Sequence, residues 1–194
     1  MAELTDADRT RLLDIAETAL RARLAGRVPP DVDLSGCSAA LRSSGAAFVT
    51  LLVGGQLNGC IGDLAAAEPL AASIARLAQR SAFDDPRLPP LRPADLEHLE
   101  IEISLLSPPT TVPARTRAEL LEHLEPHRHG LILASGSHSA LFLPTVWEQL
   151  PDRNGFVDRL LLKAGLPPDP WPSGLRAEVF TTTTFGRLVD RATD

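Results

Sequence analysis

Residues 56–64 read QLNGCIGDL, placing Cys60 between Gly59 and Gly62. A thiolate is a strong nucleophile where nearby cations or helix amides lower the thiol pKa, and flanking glycines let backbone approach a ligand closely. The same residues have a second reading, a small apolar thiol at a crowded strand end whose glycines serve only a turn or a bulge. Glu102 shares the polar face of a strand with Glu100 and Ser104. It is the type of residue that serves as general acid or base, or that orients a histidine, and a solvated sheet face is the alternative. His129, beside Gly130 at a strand entrance, is the histidine best placed for a Cys/His pair, with a turn histidine as the plainer reading. Asp85 and Arg87 flank Pro86 in a proline-stiffened loop, which holds charged side chains still without regular structure. They serve either a ligand or an ion pair that locks the loop down. Together with Asn58, Gly59 and Gly62 they would border a cleft for a small polar substrate, with Cys60, Glu102 and His129 as the catalytic candidates.

Composition removes other chemistries. The formal net charge is -6, with 19 basic against 25 acidic residues and a pI near 5.4. Nucleic-acid affinity rests on clustered cations, so that role is disfavoured. Lys163 is the one lysine, which leaves a lysine-dependent mechanism a single candidate in a helical context. The sequence has no CxxC or HExxH, and none of the glycine-rich nucleotide loops or the GxSxG elbow, so neither metal nor cofactor is expected. Trp147 and Trp171 stand outside any basic or aromatic-rich stretch and read as packing residues. Cys37 and Cys60 read as free thiols, because the N-terminus MAELTDADRT carries no apolar secretory segment. No apolar run reaches membrane-spanning length, and the expected location is the cytoplasm.

The elements that must position these residues follow from periodicity. Thr5 with Asp8 opens a helix whose apolar residues run from Leu12 to Leu24 at helical spacing. Residues 27–45, rich in Pro, Ser and Gly, read as a covering loop that holds Cys37. AAFVTLLV (46–53), Gly54-Gly55 and QLNGCIG form a hairpin with Cys60 near the end of its second strand. Alternation along that strand sends residues 58 and 60 to one face. Pro69 starts a helix ending near Ser81, and four prolines keep 82–93 irregular. LEIEISLLS (99–107) is a strand, Thr116 with Glu119 opens a helix, and a second hairpin spans 131–143. Asn154 caps a helix reaching about Gly165, and 176–185 is a last strand. Strands arriving mainly as hairpins with helices between the groups specify an α+β fold with an antiparallel or mixed sheet.

Six blocks in order, LNGCIGDL, SAFDDPRLPPL, LEIEISLLSPP, HGLIL, ALFLPTVWEQLP and KAGLPPDPW, resemble the AMMECR domain family, over about residues 10–185. Its bacterial and archaeal members are called AmmeMemoRadiSam system protein A. The resemblance implies one two-lobed α+β domain over 1–194, the smaller lobe lying within it. It also implies a three-protein setting shared with a Memo-type protein and a radical SAM protein. The family hexapeptide is usually L-R-G-C-I-G, whereas Asn58 stands here in place of the Arg. If that Arg binds an anion or tunes the thiol, this chain must supply the charge from elsewhere, and Arg87 is the candidate. Two functions fit: a Cys-dependent enzyme or enzyme subunit, or a non-catalytic adaptor docking those partners through the Pro-rich loops 86–93 and 167–172.

Overall fold

A computed structural model describes residues 4–64 and 67–189. The element order is α1 (Asp6–Leu24), α2 (Ala39–Arg42), β1 (Ala47–Val53), β2 (Gln56–Asp63), α3 (Leu70–Phe83), a 3₁₀ turn (Pro93–His98), β3 (Leu99–Leu106), β4 (Thr110–Val112), α4 (Arg117–His123), β5 (Gly130–Ser135), β6 (His138–Phe142), a second 3₁₀ turn (Pro144–Glu148), α5 (Arg153–Lys163), β7 (Arg176–Phe180) and β8 (Thr182–Leu188). The fold is α+β with two antiparallel sheets, in strand orders β2-β1-β3-β8 and β4-β7-β5-β6. The chain divides into two compact units: residues up to Leu105 together with those from Thr183 onward, and Leu106–Thr182.

In the first unit, α1 starts where the expected capping box forms, with the Thr5 hydroxyl accepting the Asp8 N–H and the Asp8 carboxylate accepting the Thr5 N–H. Its Leu12, Ile15, Ala16 and Leu20 meet Ile74, Leu77 and Ala78 of α3 and the inward residues Val49, Leu51, Ile101 and Ile103 of the sheet. Each fully buried Leu or Ile there contributes about 1.5–3 kcal/mol of transfer free energy. Gly54 and Gly55 both take positive φ, 56° and 77°, as a two-residue hairpin turn requires. The covering loop is more built than its composition suggests. Ser38 caps the short α2, and Cys37 is only 6% exposed within the core.

The second unit has its own core, where Trp147 stacks on Phe156 with ring centroids 3.7 Å apart, against Leu131, Leu133, Leu160 and Leu161. The Thr116/Glu119 capping box opens α4 as expected. Two expectations are corrected here. Asp152, not Asn154, caps α5, its carboxylate accepting the Gly155 N–H at 2.7 Å. The strand expected over 176–185 is two strands in different sheets. The ladder breaks at Thr181, whose N–H and C=O are both taken by Ser107, through its Oγ and its N–H respectively.

Candidate functional site

The hairpin β1–β2 decides where Cys60 points. A regular hairpin closed by a two-residue turn pairs Val53 with Gln56 and Leu52 with Leu57, and would continue with Leu51 opposite Asn58, Thr50 opposite Gly59 and Val49 opposite Cys60. Val49 faces the core, so the thiol would be buried. Instead the register shifts between Leu51 and Leu52: Leu57 pairs with Leu52 and Gly59 with Leu51, leaving Asn58 as the extra residue of a β-bulge. A one-residue shift exchanges the faces of every later residue in the strand. Cys60 therefore lies opposite Thr50 on the outward face, half-buried, and Gly59 turns toward the core.

The bulge also corrects the expectation that residues 58 and 60 share a face. The Asn58 amide reaches sideways, its Nδ2 donating to the Pro89 carbonyl at 3.5 Å. The glycines have distinct roles. A Cβ on Gly59 would overlap the backbone carbonyl of Ser81 at the end of α3, and one on Gly62 would overlap the Phe48 ring. Gly59 thus permits a helix end to sit directly on the strand.

Strand β2 is the sheet's edge, and the loop after α3 satisfies it where Cys60 sits. The Asp85 carboxylate accepts the Cys60 N–H at 3.0 Å, and the Arg87 guanidinium donates to the Cys60 carbonyl at 3.0 Å. Arg87 also donates twice to Asp85, at 2.8 and 2.6 Å. The pair does for one residue what a neighbouring strand would do, and it closes an edge that would otherwise stay open. The Asp85 side chain is 3% exposed and that of Arg87 63%. The Arg87 guanidinium holds the Asp85 carboxyl well below the usual carboxylate range, against the cost of burial and helped by the Cys60 N–H. One residue further on, the Ile61 N–H is taken by the Ser81 hydroxyl at 3.0 Å, which in turn donates to the Val49 carbonyl at 2.7 Å. The amides of Cys60 and Ile61 are thus both committed to the fold.

On the outward face Thr50 pairs with Cys60 on one side and with Glu102 on the other. The Thr50 hydroxyl donates to the Cys60 sulfur at 3.2 Å. Cys60 and Glu102, two strands apart, are separated by roughly 10 Å at the backbone. Burial pushes the Glu102 carboxyl up, and Glu100 pushes the same way. A Cβ on Gly186 of β8 would stand 2.8 Å from the Ile101 carbonyl oxygen and 3.0 Å from the Glu102 Cγ, so glycine lets the β8 backbone lie close beside Glu102. Ser104 and Thr184 continue the polar row, their hydroxyls 2.9 Å apart. A groove of about 210 Å3 lies elsewhere, between α1 and residues 30–33, and none of the expected site residues lines it.

His129 belongs to the second unit. Its Nδ1 accepts the Glu125 N–H at 3.2 Å, its Nε2 is 3.8 Å from the Glu125 carboxylate, and its carbonyl accepts the Trp147 indole N–H at 2.7 Å. Of the expected residues, the structure brings Asn58, Gly59, Cys60, Gly62, Asp85 and Arg87 together around one edge segment, with Glu102 two strands away on the same sheet. Thr50 was missed by sequence reasoning. Its signal was a hydroxyl in an otherwise apolar strand run, and its partner becomes visible only once the bulge is counted. Among the described residues no group of three or more His, Cys, Asp or Glu is arranged to hold a metal ion, and no helix is long and apolar enough to cross a membrane.

Two α+β units, each with its own antiparallel sheet, make a fold already seen among solved structures. The uncharacterized protein PH0010 from Pyrococcus horikoshii matches with a TM-score of 0.83 at 30% identity, over 95% of this chain and 93% of that one. The AMMECR1 family model matches residues 13–185, and the chain belongs to that family. Relatives include Protein MK0488 of Methanopyrus kandleri, 39% identical over 124 residues, covering 61% of this chain and 58% of that protein. A protein of Methanothermobacter thermautotrophicus is 34% identical over 163 residues, covering 81% of this chain and 82% of its own length.

Proposed function

We propose that the protein works through the Cys60 thiol, binding or modifying a small polar substrate on the outward face of the first sheet, as one component of a system with a Memo-type protein and a radical SAM protein. The observation that carries this reading is the bulge at Asn58. It costs a regular ladder pair, and its effect is to move the cysteine from the core face to the outward face, where the Thr50 hydroxyl meets the sulfur. A cysteine needed only as a small core residue would have no use for that shift. Asp85 and Arg87 hold the Cys60 backbone from the strand edge, so the nucleophile is fixed on a rigid element. Arg87, whose side chain remains largely exposed, is the cation next to the motif that lacks the family's arginine, and it suits an anionic group on the substrate.

The test is Cys60→Ser in cells that depend on the system. Loss of function with an unchanged circular dichroism spectrum and melting temperature is the expected result, and full function would remove thiol chemistry. His129 is tested through the same thiol: His129→Ala slows alkylation of Cys60 if the histidine serves it, and leaves the rate unchanged if the ring serves its turn.

A second reading, a non-catalytic adaptor, is favoured by Leu57, which is 47% exposed on the edge strand β2 and is followed by Asn58, bonded to Pro89 in the Pro-rich loop 86–93. Leu57→Glu separates the two. It abolishes co-purification with the Memo-type or radical SAM protein if the face is a docking surface, and spares it if the face serves a small molecule.

A further inference from the structure

We infer that Thr50 is a positioning residue that couples Glu102 to the Cys60 thiol, a role that rests on the reading of Cys60 as the working nucleophile. Three observations place it. Thr50 lies on the central strand of three, directly opposite Cys60 in one ladder and directly opposite Glu102 in the other. Its Oγ1 is 3.2 Å from the Cys60 sulfur. Its neighbours along β1, Val49 and Leu51, are fully buried in the core, so the hydroxyl is the polar group that this stretch of strand turns outward. Directly opposed antiparallel residues hold their Cβ atoms about 4.5–5.5 Å apart, within reach of a glutamate side chain from the other strand. The missing side chain at Gly186 lets the β8 backbone lie close beside Glu102.

A hydroxyl offers one proton and two lone pairs, so it can pass a proton along the row. With the Thr50 hydroxyl rotated toward Glu102, the Cys60 S–H proton goes to Thr50 Oγ1 while the Thr50 O–H proton goes to a Glu102 carboxylate oxygen, and the hydroxyl that donates to the sulfur at 3.2 Å is the arrangement after the transfer. The products are a thiolate, an intact threonine and a neutral glutamic acid. The new thiolate then accepts the Thr50 O–H. Burial and Glu100 favour the proton on Glu102, in the direction this step needs. Of the other charged groups near the thiol, Asp85 accepts the Cys60 N–H, and Arg87 donates to the Cys60 carbonyl and also attracts the Cys60 thiolate through space.

The experiment is the rate of iodoacetamide alkylation of Cys60 in the native full chain at pH 7, located by peptide mass spectrometry, for wild type, Thr50→Val, Thr50→Ser, Glu102→Gln and the Thr50→Val/Glu102→Gln double variant. Valine keeps the β-branched shape and removes the hydroxyl, and serine returns it. Thr50→Val should slow alkylation at least five-fold, Thr50→Ser should restore it to within two-fold of wild type, and Glu102→Gln should slow it comparably. The double variant should be no slower than the slower single variant, since one broken path cannot be broken twice. A rate unchanged in Thr50→Val, or losses that multiply in the double variant, overturns the coupling. If Thr50→Val fails to fold, Glu102→Gln against wild type decides alone, an unchanged rate counting against the coupling. If wild-type Cys60 is not alkylated in the native chain, the reading of Cys60 as nucleophile fails; if it is alkylated but indifferent to Thr50, only the coupling fails.

Discussion

At the residue scale, the carboxylate of Asp85 and the glycine at position 59 carry the most consequence for the least exposure. Asp85 accepts from the Cys60 N–H and from the Arg87 guanidinium while nearly buried, so Asp85→Ala orphans several donors at once. The expected loss is about 2–3 kcal/mol, read from urea denaturation, and Arg87→Met, which leaves the nearly buried Asp85 carboxylate with only backbone N–H donors, costs a comparable amount. The sign of the pH effect follows from the depressed carboxyl. Its contribution is present above the unfolded value near 3.9 and is lost as pH falls below it toward the folded value. Asp85→Asn should therefore flatten the acid limb of the stability curve relative to wild type. Glu102 has the opposite sign. A carboxyl pushed up by burial opposes folding where it is ionised, so Glu102→Gln should raise the melting temperature at pH 7, the gain fading as pH falls toward the unfolded value near 4.3. A residue kept at a cost to stability fits a working role. Gly59→Ala would drive a methyl into the Ser81 carbonyl, and the expected cost is about 3 kcal/mol because both parties are backbone.

At the scale of elements, the hairpin shows how much of the site was legible. Gly54-Gly55 marked the turn because two successive positive-φ residues demand it, and Cys60 fell on the second strand as expected. The face it occupies was not legible. It depends on one unpaired residue, and nothing in the local sequence distinguishes Asn58 as the extra residue of a bulge from Asn58 as a paired one. Asp85 and Arg87 read as either an ion pair or ligand groups, and the ion pair formed. Their docking onto the Cys60 amide joins residues 25 positions apart and has no local signature. The single strand expected over 176–185 failed for a similar reason, since its break at Thr181 is set by Ser107, 74 residues earlier. Deleting Asn58 tests the element directly: the extra residue is gone, the ladder closes regularly with Gly59 still opposite Leu51 and Cys60 still opposite Thr50, and alkylation of Cys60 in the native chain should stay near the wild-type rate. Far-UV circular dichroism checks that the sheet persists, and alkylation falling to the rate of buried Cys37 in a folded deletion variant would show that the Cys60–Thr50 pairing does not hold the thiol outward.

For the whole molecule, the two units have separate cores and separate reporters. Trp147 and Trp171 both lie in the second unit, and Cys37 is buried in the first. Phe156→Ala removes the ring stacked on Trp147 and should destabilise the second unit by about 3–5 kcal/mol. The midpoint followed by tryptophan fluorescence should then fall further in urea than the midpoint followed by Cys37 alkylation. Coincident shifts would mean that the chain unfolds as one cooperative body. The division into two units was implied by the family resemblance, whereas the α+β class followed from hairpins alternating with helices.

The central claim is that the fold presents one cysteine and hides the other, and native-state alkylation tests it most directly. Brief iodoacetamide treatment of the folded chain, followed by peptide mass spectrometry, should modify Cys60 while Cys37 reacts only after denaturation. Equal protection of the two thiols in the folded chain would contradict the account.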